Sequence, residues 1–251
     1  MQVVGYEAGI DDPAALLIAE DGSVQTESLD PGTELTYSLG DRHCAGLLND
    51  GSHTPCPHED APYCDDHTHR WPCARCTGQC SLPLESCREA HAIYLAGFAP
   101  ETFKVGVTRS WRLDTRLREQ GADRAAHLRT VTDGRVARQI EAEIAADVGD
   151  RVRVPTKIRG LHERVDEDAW TDLLAEFDPI ETYDFEYDLG LSDRPMAETL
   201  ASGTVRGSQG RVLVLDNGGS TYAVDMRDLV GHDLESGGSD RDLQSSLGAF
   251  G

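Results

Sequence analysis

The sequence predicts an α+β chain: a central α/β unit, a Cys/His-rich segment before it, and strand-rich ends. Three observations lead there. Apolar or alternating runs bounded by turn signals occupy both ends of the 251 residues. All seven cysteines fall within residues 43–90. Residues 91–165 pass from β-rich runs to helical periodicity.

Residues 1–42 form an N-terminal strand region. AALLIAE (14–20) and ELTYSLG (34–40) are its strands, and Asp21-Gly22 and Pro31-Gly32 are the turns between them. Residues 43–90 hold five of the nine histidines and few apolar side chains, too few for a core without a staple. Within 91–165, HAIYLAGF and TFKVGVT read as strands. Ser110 suits a helix N-cap, and WRLDTRLREQ runs helically to a stop at Gly121. Asp133 suits the next cap, before a stripe of Val136, Ala137, Ile140, Ile144 and Val148. Residues 166–202 begin with a short amphipathic helix (166–178) and continue as linker. Residues 203–234 are a second β region, with two apolar runs around the hairpin signal Asn217-Gly218-Gly219. The two strand-rich ends are expected to pair as one small barrel-like unit. The Gly/Ser/Asp-rich residues 235–251 are expected to be disordered.

Composition narrows the setting. No run of 18 apolar residues occurs, and the start MQVVGYEAGIDD lacks a basic stretch followed by an apolar one. An ordinary signal peptide or membrane span is thereby excluded, and a cytoplasmic protein is expected. The net charge is −22, with two lysines (Lys104 and Lys157) beside 21 arginines. Acidic residues spread over the whole chain in this way resemble proteins of salt-accumulating halophiles, whose surface charge keeps them hydrated. Residues 88–165 depart from the trend, with 15 basic and 11 acidic side chains. A locally basic surface in an acidic chain suits an anionic partner, with nucleic acid the plausible one.

The cysteines point to metal. Their spacing is Cys44-x11-Cys56-x7-Cys64-x2-His67, then Cys73-x2-Cys76-x3-Cys80-x6-Cys87. Closely spaced pairs let one backbone knuckle present two ligands, and eight donors suffice for two closed tetrahedral zinc sites. An odd cysteine count in a cytoplasmic setting weighs against disulfides. The spacing leaves open which ligands share an ion, and His43, His53, His58 and His69 are alternatives to His67. Closed sites of this kind are structural.

Ala92-Ile93-Tyr94, then Lys104-Val105-Gly106, a helix carrying Arg116, and Ala137-x2-Ile140-Glu141 together resemble the GIY-YIG endonuclease superfamily over roughly residues 91–150. With FKVGVTR, REQGA and WPCARCTGQC, the whole chain resembles an uncharacterised archaeal and bacterial family known as a domain of unknown function. The endonuclease resemblance implies that Tyr94 activates water, Lys104 stands in for a second tyrosine, Arg116 contacts phosphate and Glu141 holds magnesium. Arg109, Arg112 and Arg118 would contact nucleic acid. Ala92 stands where that superfamily has glycine, and no asparagine occurs in residues 142–165. The same residues also have plain structural readings: Tyr94 filling a strand position, Arg116 paired with Asp114 or Glu119, and Glu141 paired with Arg138 or Arg135. Three functions follow as expectations: nucleic-acid binding without catalysis, magnesium-dependent phosphodiester hydrolysis, and a structural or protein-interaction role.

Overall fold

The computed structural model describes residues 1–10, 12–68 and 85–237. Its amino end is a meander of β1 (Gln2–Glu7), β2 (Ala15–Glu20) and β3 (Ser23–Ser28). The β2–β3 turn is made by Asp21 and Gly22, both at positive φ. Strand β4 (Glu34–Arg42) and the short hairpin β5 (Leu47–Asn49) and β6 (Ser52–Thr54) follow.

The middle of the chain contains β7 (His91–Phe98), β8 (Thr102–Arg109), α1 (Leu113–Gln120), β9 (Arg124–Val131) and α2 (Gly134–Val148). It continues through α3 (Val154–Gly160), α4 (Glu167–Leu174) and β10 (Glu181–Asp184). The carboxyl end adds β11 (Met196–Ala197), β12 (Ala201–Gln209), β13 (Val212–Asn217), β14 (Ser220–Asp225), α5 (Met226–Leu229) and β15 (His232–Ser236).

The two ends build one eleven-stranded sheet in the order β11-β14-β13-β12-β4-β15-β1-β2-β3-β6-β5. Strand β4 joins the halves, pairing Leu35 with Gly203 of β12 and Leu39 with Leu234 of β15. Leu16, Leu35, Leu213, Leu215, Met226 and Leu229 fill its core. The expected barrel does not form. The sheet ends on a two-residue strand at one edge and a three-residue strand at the other, and these edges do not pair.

A second, antiparallel sheet has the order β10-β9-β7-β8. Period-two alternation along β7 sends Ala92, Tyr94, Ala96 and Phe98 to the side of Leu113 and Leu117. Ile93 and Leu95 go to the opposite side, with Ala137 and Trp170. Asp133 caps α2 by accepting from the N–H groups of Arg135 and Val136, and Gly121 ends α1 in the left-handed region at φ 66°.

The expected α+β chain centred on a GIY-YIG-like unit is therefore corrected. Strands make up 41% of the described residues against 22% in helices, and the larger sheet comes from the termini rather than the middle. Smaller corrections follow the same logic. Ser110 caps no helix, because a 3-10 turn (Ser110–Arg112) intervenes and its hydroxyl is buried without a partner. Val136 is 41% exposed and lies off the packed stripe of α2. Glu235 and Ser236, expected within a disordered tail, close β15 instead, and residues 238–251 lie outside the described residues. Among the described residues no helix is long and apolar enough to cross a membrane.

Candidate metal centre and basic cleft

Four of the eight predicted donors meet. Cys44 follows β4, Cys56 follows β6, and Cys64 and His67 share the next turn. One donor atom from each lies within 4.8 Å of every other. The distances are 3.4 Å from Cys44 Sγ to His67 Nδ1, 3.2 Å from Cys64 Sγ to His67 Nδ1, and 4.0 Å between Cys56 Sγ and Cys64 Sγ. Zinc bonds of about 2.3 Å to sulfur and 2.0–2.1 Å to nitrogen give tetrahedral edges of about 3.8 Å (S to S) and 3.6 Å (S to N). The set fits one such ion.

The surroundings favour thiolate at Cys44. Burial pushes its thiol up, but the backbone N–H groups of Cys64 and Gly46 point at its sulfur and bring the balance below the ordinary value. Gly46 has φ 68°, and a Cβ there would collide with the Thr54 carbonyl, so the knuckle needs glycine. Other histidines are engaged elsewhere: the His53 ring bonds the Ala45 carbonyl (2.9 Å) and His43 bonds the Cys56 carbonyl (3.1 Å). Cys44 and Ala45 are fully buried, and Ala45 packs in the core of the large sheet, so the cluster staples that sheet. Cys73, Cys76, Cys80 and His69 lie outside the described residues, and Cys87 is described away from this cluster.

Where the two sheets meet, a cleft of ≈ 1020 Å³ opens. The small-sheet side contributes Lys104 from β8, Arg116, Glu119 and Gln120 from α1, Asp150, Arg151 and Arg153 from the next loop, and Lys157 from α3. The large-sheet side contributes Tyr6 and Glu7 at the end of β1, Gln209 and Arg211 around the β12–β13 turn, and Asp225 and Arg227. Seven cations thus face four carboxylates in a chain of net charge −22. Both lysines of the chain stand here.

Lys104 is 8% exposed, and among the described residues neither lysine forms an ion pair. Lys157 Nζ donates to the Gln120 carbonyl (2.5 Å) and lies 4.1 Å from the centre of the Phe98 ring. Burial, reinforced by the Arg116 charge, pushes Lys104 down to about 8. Burial, reinforced by Lys104 itself, pushes Lys157 down to about 7.

Tyr94, Lys104, Arg116 and Glu141 come together beside this cleft, but only Lys104 and Arg116 line it. Tyr94 is 1% exposed, and its hydroxyl accepts from Gln120 Nε2 at 2.9 Å. Its ring crosses Gly106, its partner in the β7–β8 register: a Cβ on Gly106 would stand 2.5 Å from Cζ and from the hydroxyl. Burial pushes the Tyr94 phenol up, with Arg116 opposing and Glu141 adding to the shift. Glu141 acts on the charge of both Tyr94 and Lys104 and is held by Arg138 at 2.6 Å. Arg116 pairs with Glu119 at 3.2 Å.

The other arginine candidates stand off the cleft. Arg112 pairs with Glu119 (2.7 Å), Arg118 with Asp114 (2.9 Å) and Arg109 with Glu89 (3.5 Å). Sequence reasoning missed Lys157, Arg151, Arg153, Arg211 and Arg227. The scarcity of lysine is a usable signal for the first of them.

Two open sheets, a three-cysteine, one-histidine centre that could bind a metal ion and a basic inter-sheet cleft define a strand-rich candidate metalloprotein. The family model described as "Protein of unknown function (DUF2797)" matches residues 40–234, and the chain belongs to that family. The endonuclease superfamily resembled by residues 91–150 is not matched. No curated protein and no solved structure matches the chain.

Proposed function

We propose that the protein binds nucleic acid by its phosphate backbone in the cleft between the sheets, on a scaffold stapled by zinc at Cys44, Cys56, Cys64 and His67. The observation that carries this reading is the position of the two lysines. In a chain with 45 acidic residues, both line one cleft with five arginines, and among the described residues neither has an ion-paired carboxylate. Burying ammonium groups without counter-ions is costly, and a bound phosphate removes the cost. Contacts of this kind set affinity and register rather than sequence preference. Four protein donors close the zinc coordination sphere, which makes that ion structural rather than catalytic.

Fluorescence anisotropy with mixed DNA and RNA oligonucleotides tests the reading. Lys157→Gln and Arg153→Gln are each expected to weaken binding several-fold on every sequence, as lost phosphate contacts do. Binding by both variants at the wild-type level contradicts it.

The grouping of Tyr94, Lys104, Arg116 and Glu141 favours a second reading, hydrolysis of the bound phosphodiester. Magnesium takes one or two carboxylates and completes its shell with water and substrate phosphates. Glu141 supplies one carboxylate, held by Arg138 at 2.6 Å, so water and substrate phosphates would have to fill the rest of the shell. Glu141→Gln should abolish magnesium-dependent cleavage and leave binding intact. Wild-type protein that binds but never cleaves removes this reading and leaves the first standing.

A further inference from the structure

Trp111 packs in none of the apolar cores. It is 71% exposed, the most exposed large apolar side chain among the described residues, whereas Trp170 is 5% exposed in the core. Its indole N–H donates to Glu89 at 3.3 Å, and the Arg112 guanidinium lies 5.9 Å from its ring centre, so the ring is held in place rather than packed. From there a chain of ion pairs leads into the cleft. Arg112 binds Glu119 at 2.7 Å, and Glu119 binds Arg116 at 3.2 Å, so Trp111 stands at the outer end of a track that leads toward Lys104, which lies 5.7 Å from the Tyr94 ring centre and forms no ion pair among the described residues.

An exposed, tethered aromatic plane beside an arginine, continuous with a phosphate-binding cleft, is the arrangement that receives an unpaired base. Every base has a π-face, so stacking tolerates any sequence, and each base stacked on an aromatic side chain contributes substantially to affinity. A base inside a duplex is already stacked on both faces and cannot use such a plane without being unstacked.

We infer that the cleft receives single-stranded nucleic acid, with one base stacked on the free face of Trp111 while the adjoining phosphates reach Arg116 and Lys104. This rests on the proposed nucleic-acid binding and names the class of strand bound.

The test compares three labelled probes on the full chain: a single-stranded oligonucleotide, its blunt duplex, and inorganic polyphosphate, which has charge but no bases. Wild type should bind the single strand more tightly than the duplex. Trp111→Ala should weaken single-strand binding about tenfold and leave polyphosphate binding unchanged, while Trp111→Phe keeps most of the single-strand affinity. Equal affinity of Trp111→Ala and wild type for the single strand overturns the inference, as does duplex binding that matches or exceeds single-strand binding. Polyphosphate binding with no preference among nucleic acids overturns the inference and leaves the cleft's phosphate site intact. Binding of none of the three probes overturns both readings.

Discussion

Single side chains in the cleft carry consequences that solution measurements can read. Lys157 and Lys104 are pushed below the ordinary 10.5, to about 7 and about 8. Below about pH 7 the folded and unfolded chains are both protonated at these sites, and the burial cost is present in full. Between about pH 7 and pH 10.5 the unfolded chain keeps protons that the folded chain has released, so stability rises with pH across that window. Urea unfolding should show this rise in wild type and a flatter profile in Lys157→Met; identical slopes would mean Lys157 is not buried as described. Anion affinity runs the other way, strongest where both ammonium groups hold their protons. Gly106 makes a separate prediction. An added methyl would meet Tyr94 at 2.5 Å, so Gly106→Ala should cost about 1–3 kcal/mol by overpacking. Replacing Tyr94 with Leu in the same chain should recover part of that loss, and a wild-type denaturation midpoint for Gly106→Ala alone would refute the close contact.

At the scale of elements, the metal cluster is the part whose removal should be felt farthest. Cys44 follows β4 and Cys56 follows β6, so an ion held by the cluster would tie the strand that joins the halves of the large sheet to its outer hairpin. Cys64→Ser should lower zinc content by about one equivalent relative to wild type and lower the melting temperature, since binding energy at a structural site is folding energy. Unchanged zinc content would show that these four residues do not hold the ion. The elements most legible in the sequence were those with local chemistry of their own. Asn217-Gly218-Gly219 marked the β13–β14 hairpin, Asp133 marked a helix start and Gly121 a helix end. Strand β9 escaped notice because RAAHLRTV has neither a clean alternation nor a strong apolar run; β7 and β10 on its two sides determine its conformation. Helix α3 is a seven-residue turn of chain that begins with Val154-Pro155 and is held by packing against Val212 and Ala223 of the large sheet. No local pattern announces that.

For the molecule as a whole, function resides where two sheets built from distant parts of the chain face each other. The sequence disclosed the four donors that meet because ligand spacing is local, and it pointed to Lys104 through the motif resemblance of residues 91–150. It did not disclose the cleft, whose cations come from β8, α1, α3, the loop between α2 and α3, the β12–β13 turn and α5. Nor did it show that Arg109, Arg112 and Arg118 would be occupied by neighbouring carboxylates. The junction itself hangs on Gln209, whose amide donates to the Gly121 carbonyl and to Asp123, both at 2.9 Å. Gln209→Ala should therefore cost about 1–3 kcal/mol, by leaving the half-buried Asp123 carboxylate without one donor. The most direct measurement of the central claim is the dependence of single-stranded oligonucleotide affinity on KCl concentration, for wild type and for the Lys104→Gln/Lys157→Gln double variant. Each lost phosphate contact flattens the slope of log affinity against log salt by about 0.7. The cleft as described predicts a slope shallower by roughly 1.4 in the double variant; parallel lines for the two proteins would place the bound phosphates somewhere else.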